Sequence, residues 1–158
     1  MQNLSATICL GEFDFQNEEG LLTYNCKATL PISKKQVEIF FETDSSANLP
    51  TYNQKQFLNK IINNFDNVLI AISIELSGDG KSNITKKKEI DENYDLITIG
   101  IPLNVIDNIF WDLSMENKRN KSTALLANFD GMKPIKVWIE NYKTPFFTRL
   151  ILKILGQK

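Results

Sequence analysis

The apolar residues of this chain change their spacing partway along, from the period of a strand to that of a helix. Between Leu21 and Leu30 they alternate with polar residues, which is typical of a strand with one buried face. Between residues 50 and 77 they recur at every third or fourth position, which is typical of a helix packed on one side. The two periods together predict an α+β fold, because a helix and a sheet can bury their apolar faces against each other.

Further strands are predicted on both sides of the helical stretch. They are expected over residues 5–15 (with a bulge near Gly11), around Val37–Phe41, and over residues 95–103, 123–129 and 134–139. Turns that contain Gly20 and Gly131 separate neighbouring strands. We therefore expect a single domain over residues 1–158, built on a mostly antiparallel sheet of five to seven strands.

The helical stretch predicts one long helix over about 51–76, packed on one face of the sheet. Its N-cap is expected at Thr51 or Asn53, with a glutamine of the first turn completing a capping box. Asparagines around Asn64 are poor helix formers, and β-branched residues follow them. A helix to about Asn64 followed by a strand over 68–76 is therefore the alternative.

Two further helices and one loop complete the prediction. A short amphipathic helix is expected over residues 105–113, and a C-terminal helix over residues 144–155. The apolar stripe of the C-terminal helix is expected to pack on the domain. The polar stretch 77–94 is predicted to be a mobile loop, because it offers few apolar contacts.

A set of apolar residues with strand or helix periodicity is predicted to form the core. They are Leu22, Tyr24, Cys26, Ala28, Val37, Ile39, Phe41, Leu58, Ile61, Ile62, Phe65, Ile97, Ile99, Ile101, Leu125 and Val137. Trp138 lies in a predicted strand, and we expect it to pack in the core or to be covered by the C-terminal helix rather than to form an exposed binding surface.

The sequence contains no histidine, the residue that most often serves as general base or metal ligand. Gly80-Lys81-Ser82 lacks the preceding glycine of a phosphate-binding loop, because position 75 is Glu75. Neither Cys9 nor Cys26 has a histidine to activate it, and we expect two buried thiols rather than a disulfide. We predict no catalytic residue, no metal site and no cofactor.

Charge is distributed unevenly along the chain. Residues 1–50 hold seven acids and three lysines, whereas residues 132–158 hold six bases and one acid. The net charge of −1 argues against nucleic acid as the partner. Another protein is the expected partner, and charged residues at two places are the candidates for binding it. They are Glu18 and Glu19 for a basic partner, and Lys81, Lys86, Lys87 and Lys88 for an acidic one.

Localisation is predicted from the absence of targeting patterns. The first residues show no basic region followed by a long apolar run, so we expect no signal peptide. No stretch approaches the about 20 apolar residues of a membrane span. We expect a cytoplasmic protein, and the abundance of Ile, Asn and Lys is typical of AT-rich bacterial genomes.

The segment Leu49-Pro50-Thr51-Tyr52-Asn53-Gln54-Lys55-Gln56-Phe57-Leu58 opens the helix after several strands. In this layout, over about residues 21–139, the chain resembles small bacterial α+β proteins of the toxin-immunity type. The resemblance implies a non-catalytic protein-binding module that occludes a toxin. The alternatives are an enzyme that uses carboxylates and a structural or regulatory interaction protein.

Overall fold

The computed structural model describes residues 10–33, 35–78 and 84–142, which contain one seven-stranded sheet and three helices. The elements in chain order are β1 (Asp14–Glu18), β2 (Leu21–Thr29), β3 (Gln36–Glu42), α1 (Tyr52–Asn63), α2 (Phe65–Ser77), α3 (Ile84–Asn93), β4 (Tyr94–Ile101), β5 (Phe110–Asn117), β6 (Thr123–Asp130) and β7 (Lys133–Asn141). The strands lie side by side in chain order. The predicted α+β class and mostly antiparallel sheet are confirmed.

One strand pair differs from the others, because β3 and β4 run parallel. Parallel neighbours need a long crossover, and all three helices lie in this connection. α1 contacts β4, and α2 contacts β7. The helices therefore cover one face of the sheet, and the same-face residues of the strands form the core with them.

The core follows the predicted alternation closely. Fourteen of the sixteen predicted core residues are buried, whereas Leu22 and Val137 are half-buried. Trp111 fills the centre, stacked on Phe129 with ring centroids 4.3 Å apart and 6.1 Å from the ring of Phe57. Aromatic contacts of this kind add stability beyond the burial of apolar area.

The predicted core residue Ile97 and Trp138 both lie on the opposite face of the sheet, which the three described helices do not cover. Ile97 packs there with Ala124 in a small second cluster. Trp138 is half-buried on the same face, opposite Leu126, and the Lys136 ammonium lies 4.7 Å from the centre of its ring. Trp138 therefore does not lie in the core, whereas its predicted cover by the C-terminal helix involves residues outside the described part of the chain and stays a prediction.

The single helix predicted over 51–76 is in fact two helices. Asn64 leaves the helical conformation (φ −114°, ψ 18°), and its side-chain amide donates to the carbonyl of Lys60. Its own carbonyl accepts from the N–H of Val68 in the first turn of α2. Asn64 thus ends α1 and starts α2, and the alternative of a strand after Asn64 is also wrong.

Residues 84–93 form helix α3, where a mobile loop was predicted. Its charged residues pair along the helix, Lys86 with Glu89 and Lys88 with Glu92. Pairs three or four residues apart stabilise a helix without giving an apolar period. Ile90 is buried and fixes the helix to the domain.

The remaining differences lie at the ends of predicted elements. A helix was predicted over 105–113, but β5 begins at Phe110, and Ile106 is 74% exposed in the preceding loop. The expected strand over 5–15 is described only from residue 10, and β1 begins at Asp14. The predicted C-terminal helix over 144–155 lies outside the described residues and stays a prediction.

Gln54 connects the crossover to the sheet. Its side chain is 1% exposed and completes a capping box with Thr51. Its amide nitrogen also donates to the carbonyl of Glu42 at the end of β3 (2.8 Å) and to that of Pro102 just after β4 (3.0 Å). One side chain therefore caps α1 and joins the ends of the two parallel strands.

We predict that Gln54→Ala destabilises the protein by about 2–3 kcal/mol, because two buried carbonyls lose their donor and α1 loses part of its cap. Gln56→Ala is the control, since Gln56 is an exposed glutamine of the same helix, and its effect should stay within about 0.5 kcal/mol. Urea unfolding measures both. A loss below about 1 kcal/mol for Gln54→Ala would show that the carbonyls do not depend on this side chain.

Candidate binding site

The face of the sheet that α1, α2 and α3 do not cover is called here the helix-free face, with reference to the described helices alone. It contains a cavity of about 550 Å³, called here the central cavity. Every strand contributes to its lining. The lining residues are Gln16, Glu18, Leu21, Thr23, Phe40, Glu42, Thr98, Gly100, Ile101, Pro102, Phe110, Asp112, Ser114, Leu126, Glu140 and Tyr142. Its volume lies in the range of pockets that hold small molecules or protruding side chains.

The cavity exists because the middle of the sheet carries small residues on this face. Thr98 and Ser114 are cross-strand partners, and Gly100 is paired with Asp112 in the same way. A Cβ atom at Gly100 would lie 2.9 Å from a carboxylate oxygen of Asp112. The absence of a side chain at Gly100 therefore leaves room for the Asp112 carboxylate in the centre of the face.

Four carboxylates line the cavity, and no lysine or arginine lines it within residues 10–33, 35–78 and 84–142. They belong to Glu18, Glu42, Asp112 and Glu140. The other end of the same face is different, because Asp95 pairs with Lys35 at 2.6 Å and Glu116 pairs with Lys121 at 2.7 Å. Within the described residues, none of the four cavity carboxylates has such an ion pair.

The four carboxylates have different local partners. Glu42 accepts a hydrogen bond from the backbone N–H of Leu103 at 3.3 Å. Glu140 accepts one from the hydroxyl of Tyr142 at 3.0 Å. One oxygen of Glu18 is shielded from solvent and has no hydrogen-bond partner in the part of the chain that the structure describes. A buried carboxylate oxygen without a donor is unfavourable, and a bound cation would satisfy it.

Asp112 shows the electrostatic effect of this arrangement most clearly. It reaches solvent through the open cavity, but protein atoms crowd its other sides and remove part of its hydration. This desolvation raises the pKa of Asp112 above its usual 3.8, and the negative charge of Glu42 raises the pKa further. The cavity therefore disfavours its own negative charge when it is empty.

Apolar side chains line the cavity beside the carboxylates. Phe40 and Leu126 are partly buried, whereas Phe110 and Leu21 are 58% and 54% exposed. Lysine and arginine combine an apolar stem with a charged end, and such side chains match a lining of this kind. The arrangement is suited to a cationic group that carries apolar atoms.

The structure brings only one of the predicted binding residues into the cavity. Glu18 lines it, whereas Glu19 lies exposed in the turn after β1 with φ +50°. Lys86, Lys87 and Lys88 lie on α3, and Lys87 pairs with Asp66 at 2.9 Å. Lys81 lies outside the described residues.

Sequence analysis missed Glu42, Asp112 and Glu140 as members of one site. Glu42 continues the alternation of a predicted strand, and Glu140 directly follows the strand predicted over 134–139, which β7 extends to Asn141, so the alternation was available as a signal. Asp112 could not be found in that way, because its strand was predicted to be a helix. The grouping itself depends on the strand order, which brings β1, β3, β5 and β7 around one cavity.

The described residues offer little for nucleophilic or metal chemistry. The pKa of the Cys26 thiol is raised to about 11. Burial is the main cause, the negative charge of Glu38 adds to it, and the positive charge of Lys55 opposes it. Cys26 is therefore a neutral thiol at pH 7. Within residues 10–33, 35–78 and 84–142, no three Asp, Glu or Cys side chains come together as metal ligands. Cys9 lies outside this part of the chain.

Comparisons with known proteins leave the structure as the basis for assigning a function. The chain matches no protein-family model, no curated protein and no solved structure. Among the described helices, none combines the length and the apolar character needed to cross a membrane.

We predict that Asp112→Asn raises the melting temperature at pH 7. A carboxyl whose pKa is raised by folding stabilises the folded state fully below its unfolded pKa, near 3.8, and this contribution is lost as the pH rises through the folded pKa. An asparagine amide does not ionise, so the variant does not lose this stabilisation at pH 7. Its higher melting temperature relative to the wild type should therefore disappear below about pH 3.8, where Asp112 is protonated in both states. Thermal unfolding of both proteins between pH 3 and pH 8 measures the difference, and equal or lower stability of the variant at pH 7 would contradict the analysis.

Proposed function

We propose that this protein is a non-catalytic binding module whose central cavity receives positively charged side chains of a partner protein. The observation that carries the proposal is the set of four cavity carboxylates, beside which the described part of the lining holds no lysine or arginine. An empty cavity of this kind keeps like charges close together. A cationic partner removes that repulsion and supplies the missing donor to Glu18.

The proposed interface combines charge with apolar contact. Binding interfaces usually depend on a few deeply placed groups, whereas charges near them speed association and select the partner. In this protein the exposed rings and side chains of Phe110 and Leu21 border the carboxylates. The partner side chains that fit best are therefore lysines or arginines whose stems pack on these apolar groups.

The biological role that we propose is immunity, in which the protein occludes a basic toxin in the bacterial cytoplasm. Occlusion needs affinity and shape but no turnover, which suits a cavity whose described lining holds no cysteine and no cluster of metal ligands. The layout around Leu49–Leu58 that resembles toxin-immunity proteins supports the same proposal. Co-expression of this protein with a toxic neighbouring gene product should restore growth. The double variant Glu42→Gln/Asp112→Asn should abolish that rescue.

An acidic partner bound by α3 is a weaker proposal. Lys86, Lys87 and Lys88 each have a carboxylate within 4 Å, at Glu89, Asp66 and Glu92 respectively. Their charges are thus partly compensated within the protein. Exposed pairs of this kind contribute little energy, but they reduce the net positive potential that an acidic partner would meet.

A carboxylate-based enzyme is the second candidate function, and one observation favours it. Raised carboxyl pKa values next to another acid are common in active sites, and Asp112 beside Glu42 fits this description. One carboxylate oxygen of Glu42 already accepts a hydrogen bond from the backbone N–H of Leu103, however, and is thus engaged within the protein. Binding therefore remains the better-supported function.

The proposal predicts that the wild-type protein binds the cation spermine at low ionic strength. The double variant Glu42→Gln/Asp112→Asn should bind it roughly tenfold or more weakly, because two attractive charges are lost. Isothermal titration calorimetry at 20 mM and 200 mM salt measures the affinities. Binding should weaken at the higher salt concentration.

The matched control is Glu75→Gln/Asp91→Asn, which removes the same two charges at exposed positions away from the cavity. This control should bind spermine as the wild type does, within about twofold. An absence of spermine binding at 20 mM salt would contradict the proposal. Equal losses in both double variants would also contradict it, because they would show a nonspecific effect of net charge.

A further inference from the structure

A second cavity of about 330 Å³ adjoins the central cavity and is called here the side cavity. Gln16 lines both cavities. The lining residues of the side cavity are Gly11, Glu12, Asp14, Gln16, Asn25, Cys26, Lys27, Gln36 and Glu38. Three strands therefore pass from one cavity to the other.

The two cavities follow each other along the direction of the strands. On β1, Glu18 lines the central cavity and Asp14 the side cavity. On β2, Thr23 lines the central cavity and Asn25 lines the side cavity. Same-face residues on a strand are two positions apart, which corresponds to about 7 Å. A ligand in both cavities is therefore elongated and lies along β1–β3.

Asn25 is the unusual residue of the side cavity. Its side chain is 3% exposed, and neither its amide nitrogen nor its amide oxygen has a hydrogen-bond partner among the described residues. A buried amide without partners destabilises a protein, and most buried polar groups are hydrogen-bonded. Both halves of the Asn25 amide are thus available to a ligand in the side cavity.

The chemistry of Asn25 specifies what would satisfy it. Its NH₂ group donates hydrogen bonds and its oxygen accepts them, so the complement is a neighbouring C=O and N–H. A peptide backbone offers this pair at regular intervals. The charge of the side cavity is also negative, because Glu12, Asp14 and Glu38 outnumber Lys27.

We infer that the partner presents an extended, lysine- or arginine-rich segment along both cavities, with one of its backbone peptide groups paired to Asn25. This inference rests on the proposed function, because the carboxylates of the central cavity bind the cationic side chains. In an extended peptide, alternate side chains lie about 7 Å apart, which matches the spacing of same-face residues along β1–β3. Alternate basic side chains then face the sheet.

A nucleic acid is the less suitable ligand for the same cavities. Base edges also carry adjacent donors and acceptors that could pair with an asparagine. The phosphates, however, would lie close to the carboxylates of Glu18 and Asp14, and the repulsion between them would oppose binding. A peptide with basic side chains meets attraction at both cavities.

The test compares three cationic probes with one six-nucleotide single-stranded RNA on the wild-type protein, by fluorescence anisotropy or calorimetry. The probes are acetylated hexalysine amide, the same peptide N-methylated at its backbone nitrogens, and spermine. Hexalysine should bind about fivefold more tightly than its N-methylated form, because one backbone hydrogen bond to Asn25 is lost. A six-nucleotide single-stranded RNA should bind more weakly than either peptide.

The variant Asn25→Leu separates recognition from folding. A leucine of similar size removes an unpaired buried amide, so the thermal stability of the free protein should not fall. Its affinity for hexalysine should fall about fivefold, so that it no longer distinguishes the two peptides, whereas its affinity for spermine should not change. Asn67→Leu, the same substitution at an exposed position on α2, should leave all three affinities unchanged.

The outcomes distinguish this inference from the proposed function. If wild-type protein binds both peptides equally, or prefers the RNA, backbone recognition by Asn25 is overturned. If the two peptides bind equally, charge-dependent binding of spermine would still support the proposed function. If neither peptide nor spermine binds, both the inference and the proposed function fail. The comparison of the two peptides uses wild-type protein and so does not depend on the folding of any variant.

Discussion

The hydrogen bonds of Gln54 fix the geometry on which both faces of the sheet depend. This buried side chain caps α1 and donates to the carbonyls of Glu42 and Pro102. Glu42 and Pro102 lie side by side because β3 and β4 are parallel and the preceding residues, Phe41 and Ile101, are paired. The same Glu42 extends its carboxylate into the central cavity on the other face. One glutamine therefore positions the helices and holds the residue that anchors one side of the cavity.

The placement of the three described helices explains why the two faces of the sheet differ. All three lie in the single crossover between β3 and β4, and they pack on the face that contains Val37, Ile99 and Trp111. Among the described residues, the buried apolar side chains of the opposite face form only the small cluster of Ile97 and Ala124. Small residues in the middle of that face leave a cavity, and the surrounding alternate positions supply its carboxylates.

Several features of the free face lower the stability of the empty protein. Glu18 has a shielded oxygen without a partner, and Asn25 has an amide without one within the described chain. Asp112 is harder to ionise than an ordinary aspartate. Groups that conflict with local stability often mark places where a protein binds something. All three lie on one face of one sheet, and a cationic peptide would satisfy each of them by a different interaction.

The sequence predicted the strands that alternate cleanly and failed where two periods fitted the same residues. Leu21–Leu30 and the core face of β3 were predicted correctly, because one face of each is buried. Residues 105–113 were not, since Ile106, Ile109 and Leu113 have helical spacing although β5 begins at Phe110. Because a helix was predicted there, Asp112 was not recognised as a residue of the cavity. α3 was missed because charge pairs and one buried isoleucine, rather than an apolar stripe, hold it.

The central claim is that the helix-free face binds cationic peptide, and an NMR titration tests it most directly. ¹⁵N-labelled protein is titrated with acetylated hexalysine amide at low salt, and amide shifts are mapped on the structure. The account predicts that the largest shifts occur at Thr23, Gly100 and Ser114, with small shifts on α3. Shifts that concentrate on the helices, or that spread evenly over all exposed acids, would contradict it.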